Sequence, residues 1–290
     1  MYYYILLYII MSSIFNKCNK IITKTTNSYK INNKSLLSLH NNKLCDVSLP
    51  SDKQIDNMYL FSKQISQHSK ISYQKATGRC WLFAALNMIR SQFILSRNLP
   101  KDFEFSQSYL FFWDKYERIN YFFESCQNTK NKELDSQLVQ NILQSPVCDG
   151  GQWQMFVNLV TKYGLVPKSV YPETLHSSNS AELNMVLKKM LREYCMQIRN
   201  NTFDRENALK DTYKILVQFL GIPPTEFIWE YLDNDKKYHR VSKYFTVNLT
   251  PNVFYNDIVQ INLNNYISII NDPRNDYYFN YGVEYLGKCC

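Results

Sequence analysis

Apolar side chains recur every three or four positions from residue 80 onward, the spacing that places them on one face of an α-helix. Together with residues that end helices, this periodicity predicts five helices. Ser106 fits the N-cap of the second, and Gly164 followed by Pro167 ends the third. The predicted helices cover residues 81–95, 109–123, 152–163, 181–199 and 206–220.

The last quarter of the chain changes to a pattern that favours β-strands. Residues 226–232 and 238–247 flank the polar segment 233–236 and predict a hairpin. Thr250, followed by proline, fits the N-cap of a short helix, and residues 266–271 predict another strand. Because helices come first and strands accumulate only at the end, the predicted fold class is α+β.

The first 50 residues differ from the rest of the chain. Residues 2–11 form an apolar run that is too short to span a bilayer as a helix, and it lacks the basic flank and cleavage site of a secretory signal. Residues 12–50 are rich in Asn, Ser and Lys and have no sustained periodicity. We therefore predict a poorly ordered basic leader over residues 1–50, or extra residues upstream of a start at Met11, and no association with a membrane.

The formal net charge of +8 comes from 33 basic and 25 acidic residues. Residues 1–80 hold 11 basic and 3 acidic side chains, whereas residues 81–290 hold 22 of each. A nucleic-acid partner is therefore indicated by the N-terminal stretch alone. The composition, 45% hydrophobic and 20% charged, excludes a chain that is disordered as a whole.

Eight cysteines are spread through the chain without the spacing of metal ligands. The sequence has no C-x-x-C pair and no H-E-x-x-H pattern, so we expect no metal site. The spacing also outlines no disulfide framework, which a chain of this size does not need in order to fold. A reducing compartment is the expected location.

Cys80 is the sharpest chemical feature, because it directly precedes the first predicted helix. The positive end of the helix dipole favours a thiolate there, and Arg79 adds to this effect if its side chain turns toward the sulfur. Gly78 permits a close backbone approach, the Cys80 amide can point at a developing oxyanion, and the Gln74 side chain could supply a second donor. A buried, inert cysteine is the alternative, and position alone does not separate the two.

The segment around Cys80 resembles the nucleophile motif of the papain-like cysteine peptidases, and specifically of their bleomycin hydrolase branch. That branch has the pattern Q-K-x-x-G-R-C-W, which is matched here by Gln74, Lys75, Gly78, Arg79, Cys80 and Trp81. The resemblance covers roughly residues 55–286, and an ordered succession of blocks is more specific than one motif. The further matching blocks are residues 104–115, 149–153, 162–168, 229–231, 271–274 and 283–286.

The resemblance implies a cytoplasmic cysteine aminopeptidase that acts on N-terminal peptide and amide bonds without a cofactor. By resemblance, Cys80 is the acyl-forming nucleophile and Gln74 the oxyanion-hole side chain. Gly150 and Gly151 resemble the backbone strip that binds an extended peptide, although a glycine pair by itself is typical of an ordinary loop. The family also implies a homo-oligomer, which is a hexamer in the relatives.

A cysteine peptidase also needs a base and a residue that orients the base. The family supplies a His and an Asn from its strand-rich half, and no histidine matches that block among His40, His68, His176 and His239. We therefore expect a papain-like domain over residues 51–290, with a helical insertion, whose helical lobe is largely present and whose strand-rich lobe is truncated at the C-terminus. The alternative function is a catalytically incompetent fragment or interaction module.

Overall fold

The computed structural model describes residues 69–241 and 248–266, with the short stretches 19–20, 23–24 and 42–43. The chain divides into two compact units, Met1–Ile65 and Ser66–Cys290, and the description that follows concerns the second. The predicted leader over residues 1–50 lies almost wholly outside the described residues, and its boundary stays a prediction.

Helices dominate the described residues. They are α1 (Cys80–Ser96), α2 (Gln107–Asn128), α3 (Gln137–Gln144), α4 (Trp153–Tyr163), α5 (Leu175–Ser178), α6 (Ala181–Arg199), α7 (Arg205–Leu220) and α8 (Pro251–Val253). A π-helical stretch, Phe254–Val259, continues α8, and a 3-10 turn spans Leu263–Asn265.

All five helices predicted from periodicity are present as α1, α2, α4, α6 and α7. Their ends agree within two residues, except that α2 continues five residues beyond its predicted end. The predicted caps are confirmed: Ser106 Oγ accepts a hydrogen bond from the Tyr109 amide at 3.0 Å, and Gly164 follows the last residue of α4. The prediction missed α3 and α5, which have only eight and four residues, too few for a clear helical period.

The predicted hairpin is present with shorter strands. Strand β1 (Trp229–Leu232) pairs antiparallel with β2 (Tyr238–Val241). The short helix is also confirmed, because Thr250 Oγ1 accepts a hydrogen bond from the Val253 amide at 3.2 Å. Residues 242–247 and the predicted strand over 266–271, apart from its first residue, lie outside the described residues. Helices followed by a small sheet confirm the α+β class.

Helix α2 lies at the centre of the packing, in contact with α1, α3, α4, α6 and α7. Its aromatic side chains form much of the core, and Trp113 stacks on Tyr163 of α4 with ring centroids 4.1 Å apart. A second aromatic cluster packs the hairpin and the π-helical stretch against α1. Its members are Phe93, Phe103, Phe105, Trp229 and Phe254.

Four charged side chains of α2 are buried. Glu117 is bonded to Lys162 and Tyr163, and the other three form a network with the loop before α4. Asp114, Lys115 and Arg118 are 2%, 0% and 3% exposed. Arg118 Nε donates to Asp114 Oδ2 at 2.8 Å, and Lys115 Nζ lies 2.6 Å from Oδ1 of Asp149, in the loop before α4. Burial acts to raise the pKa of Asp149, but the Lys115 ammonium and hydrogen bonds from three side chains lower it overall. The Lys115–Asp149 ion pair thus anchors the loop to the central helix.

Asp149→Asn should lower the free energy of unfolding at neutral pH by about 3–5 kcal/mol, because it leaves the buried Lys115 ammonium without its counter-charge. The pKa of Asp149 is lower in the folded state than in the unfolded state, so its contribution is fully present above the unfolded value of about 3.9 and is lost progressively as the pH falls from there toward the lower folded value. Urea titrations between about pH 5 and 3 should therefore show a steeper loss for the wild type than for the variant. Equal slopes would contradict the ion pair.

Asp102→Asn is the matched control for that comparison. Asp102 pairs with Lys70 at 3.4 Å, and both side chains are mostly exposed. Because exposed ion pairs contribute little, this variant should change the free energy of unfolding by less than about 1 kcal/mol.

Gly164→Ala should be strongly destabilising. Gly164 has φ +73° and ψ −161°, a conformation that is essentially restricted to glycine, and a Cβ there would lie 2.2 Å from the Pro251 carbonyl carbon. We expect a loss of about 3 kcal/mol in urea unfolding. Gly150→Ala is the control, since a Cβ there meets no atom within 4 Å, and it should stay within about 0.5 kcal/mol of the wild type. Similar losses in both variants would contradict the packing of Gly164 on Pro251.

Candidate active site

Cys80 is the first residue of α1, and it is exposed. The first amides of a helix have no carbonyl one turn earlier to bind, so α1 presents its positive end at this residue. Sγ lies 4.0 Å from the Gly78 carbonyl oxygen. A sulfur that is both exposed and at a helix N-terminus has the position that a nucleophile requires.

The Arg79 side chain points into the core instead of toward this sulfur. It is 1% exposed, and its two Nη atoms lie 3.0 Å from the two carboxylate oxygens of Glu173. Its Nε donates to Thr77 Oγ1 at 3.1 Å, and the guanidinium packs against two phenylalanine rings. The condition under which Arg79 would support a thiolate at Cys80, a side chain turned toward the sulfur, is therefore not met. The bidentate ion pair holds the backbone immediately before the nucleophile.

Gln74 closes a short loop ahead of Cys80. Its Nε2 donates to the Thr77 carbonyl at 2.8 Å, and Thr77 Oγ1 donates to the Gln74 carbonyl at 2.9 Å. Between them, Lys75 has φ +56°, which lets the chain reverse. Within the described residues no hydrogen bond joins Gln74 to Cys80. The loop therefore has a defined shape without a direct bond to the nucleophile.

Asp149 joins the nucleophile segment to the loop that contains the glycine pair. Its Oδ2 accepts a hydrogen bond from the Gly78 amide at 3.3 Å, and its carbonyl accepts one from Trp81 Nε1 at 2.7 Å. The approach at Gly78 is close, because a Cβ there would lie 2.8 Å from Cβ of Asp149. Bonds on both sides of Cys80 therefore converge on one aspartate.

Gly151 packs directly against the Trp81 indole, where a Cβ would lie 2.5 Å from the ring. Gly150 is exposed, and a Cβ there would meet open space. The structure thus brings the predicted strip, Gly150 and Gly151, against the segment that contains Cys80, with Trp81 and Asp149 between them. An exposed backbone edge beside an exposed thiol can bind an extended peptide.

The two described histidines are bound elsewhere. His176 Nδ1 lies 3.6 Å from Glu182, and His239 Nε2 lies 2.8 Å from Asp233. Neither is hydrogen-bonded to Cys80 in the ranges that the structure describes. His40 and His68 lie outside those ranges.

Sequence reasoning assigned no role to Asp149, Lys115 or Arg118, although all three converge on the loop over residues 148–151. The signal that could have pointed to them is the presence of charged residues in α2, a helix rich in aromatic side chains. Arg118 Nη1 lies 3.0 Å from Sγ of Cys148, which is a free thiol. A charged side chain in such a helix needs a partner, but the sequence does not show where that partner lies.

In the described part of the chain no group of three or more His, Cys, Asp or Glu side chains is arranged to hold a metal ion. There, too, no helix is long and apolar enough to cross a membrane.

The sequence of this chain is similar to a family model and to several known proteins. The model of the Peptidase C1-like family matches residues 14–290. The chain is 39% identical over 250 residues to a bleomycin hydrolase from Gallus gallus, covering 80% of this chain and 54% of that protein. It is 41% identical over 247 residues to an aminopeptidase C from Streptococcus thermophilus, covering 81% and 54%. The chain therefore spans about half the length of the curated relatives that it matches.

A solved structure agrees with these relatives. The crystal structure of PepW from Lactobacillus rhamnosis HN001 superposes with a TM-score of 0.68 at 40% identity, covering 74% of this chain and 49% of PepW. This likeness supports the papain-like α+β fold that the motifs predicted. Since the family model matches most of the chain and the relatives are well above 30% identical, the chain belongs to the Peptidase C1-like family.

Proposed function

We propose that the protein is a cysteine aminopeptidase of the bleomycin hydrolase type that hydrolyses N-terminal peptide and amide bonds through Cys80. The observation that carries this proposal is the exposed Cys80 at the positive end of α1, beside a glycine loop held by Trp81 and Asp149. The relatives named bleomycin hydrolase and aminopeptidase C support the reaction and the substrate class.

The proposed reaction begins with attack of the Cys80 thiolate on the substrate carbonyl carbon. The amide of Cys80 and the Gln74 side chain donate to the oxyanion that forms. A primary amide has two N–H donors, and one of those in Gln74 is used for the Thr77 carbonyl, which leaves the other for the oxyanion. The amine leaves with a proton, and water then hydrolyses the thioester and restores the thiol. Neither described histidine is bonded to Cys80, so the proposal assigns the base that accepts the thiol proton to no described residue.

The substrates in this proposal are short peptides and amides bound along Gly150 and Gly151. The resemblance to the bleomycin hydrolase branch supports a homo-oligomer and a cytoplasmic location, and both are part of the proposal. A nucleic-acid partner has support only from the basic residues 1–80, of which few are described.

Cys80→Ala should abolish hydrolysis of a fluorogenic aminoacyl-amide, because it removes the nucleophile. Cys126→Ala is the matched control, since Cys126 is a buried thiol of α2 away from the proposed site, and its turnover should stay within about twofold of the wild type. Turnover that survives in Cys80→Ala would contradict the proposed nucleophile. No turnover by the wild-type chain would instead favour the catalytically incompetent fragment.

Gln74→Glu should lower kcat for the same substrate about 100-fold with little change in KM, because a carboxylate keeps the size of the side chain but can donate neither to the oxyanion nor to the Thr77 carbonyl. Mass spectrometry should find that iodoacetamide alkylates Cys80 at nearly the wild-type rate in this variant. An unchanged kcat would contradict the oxyanion role of Gln74.

A further inference from the structure

Three consecutive backbone carbonyls of the loop over residues 148–151 accept hydrogen bonds from the protein interior. The Cys148 carbonyl accepts one from Lys115 Nζ at 3.0 Å, and the Asp149 carbonyl accepts one from Trp81 Nε1 at 2.7 Å. The Gly150 carbonyl accepts one from Arg118 Nη2 at 2.6 Å. Successive carbonyls in an irregular loop have no regular partners, so each bond here comes from a dedicated side chain.

The three donors are themselves held firmly. Lys115 and Arg118 are almost fully buried on α2, and Trp81 is buried in the first turn of α1. Lys115 is also bound to the carboxylate of Asp149, and Arg118 to that of Asp114. Because α1 and α2 pack in the core, these donors have fixed positions and hold the loop over residues 148–151 in place.

We propose that Lys115, Arg118 and Trp81 are positioning residues that hold residues 148–151 in their peptide-binding geometry before substrate arrives. This inference rests on the proposed function, in which Gly150 and Gly151 bind the substrate backbone. With the carbonyls of residues 148–150 held by the interior, their peptide planes cannot rotate, and the backbone groups of Gly150 and Gly151 that make no such bond remain for the substrate. The conformational entropy of the loop is lost when the protein folds, so it does not oppose binding.

Arg118 allows this role to be separated from a contribution to stability alone. Its Nε bonds Asp114, whereas its Nη2 bonds the Gly150 carbonyl. Arg118→Gln removes both bonds. Asp114→Asn weakens the same ion pair but keeps the guanidinium that reaches Gly150, so it is the matched control.

The test compares two electrophiles that react with Cys80. Iodoacetamide is too small to reach the loop, whereas a dipeptidyl vinyl sulfone with a free N-terminus has a backbone that the loop can bind. The rate of Cys80 modification by each is measured on the purified chain by peptide mass spectrometry, and thermal unfolding is recorded for each variant. This comparison requires no catalytic turnover.

Arg118→Gln should slow the vinyl sulfone about tenfold relative to iodoacetamide, because a hydrogen bond to a charged donor is lost. Asp114→Asn should keep the wild-type ratio of the two rates, even if its melting temperature falls by as much as that of Arg118→Gln. Trp81→Phe keeps an aromatic ring against Gly151 but loses the indole donor, and it should lower the ratio about threefold. If Arg118→Gln does not fold, Trp81→Phe decides the question.

An equal decrease with both electrophiles, or the same ratio in Arg118→Gln and Asp114→Asn, would overturn the positioning role and leave the proposed function standing. A wild-type chain whose ratio of vinyl sulfone to iodoacetamide rates is no higher than that of a free thiol would overturn both, because its loop would not bind a peptide.

Discussion

The ion pair between Lys115 and Asp149 is the interaction on which the geometry of the candidate site depends. Lys115 lies on the central helix and is completely buried, so its charge requires a close partner. That partner, Asp149, also accepts two hydrogen bonds from the residues on either side of Cys80. Its carboxylate accepts one from the Gly78 amide, and its carbonyl accepts one from the Trp81 indole. One buried charge pair thereby connects the core, the nucleophile segment and the glycine loop.

The two arginine side chains next to the candidate site point into the protein interior. Arg79 forms a bidentate pair with Glu173 in the core, and Arg118 binds Asp114 and the Gly150 carbonyl. In the described residues neither guanidinium is bonded to Cys80, whereas the positive N-terminal end of α1 lies at this residue. Rigid surroundings of this kind favour an active site whose parts must keep a fixed separation.

Much of the helical part of the fold was predictable because its signals are local. Apolar periodicity and caps located α1, α2, α4, α6 and α7, and polar turn residues located the hairpin. Helices α3 and α5 were missed, since α5 has a single turn and α3 only two. The direction of the Arg79 side chain was left open for a related reason: a side chain follows its strongest partner, and Glu173 is 94 residues away along the chain.

The amino-acid sequence alone predicted the five long helices, the α+β class and the family resemblance, and it supplied the residues proposed for the site, Cys80, Gln74, Gly150 and Gly151. These follow from local spacing and from motifs that are read along the chain. Only the tertiary structure decided what surrounds Cys80, because burial creates the requirement for each charge to find a partner, and folding alone brings distant partners together. The bonds that Asp149 makes with Lys115, Gly78 and Trp81 span 34 to 71 positions of sequence, a distance over which no local pattern carries information.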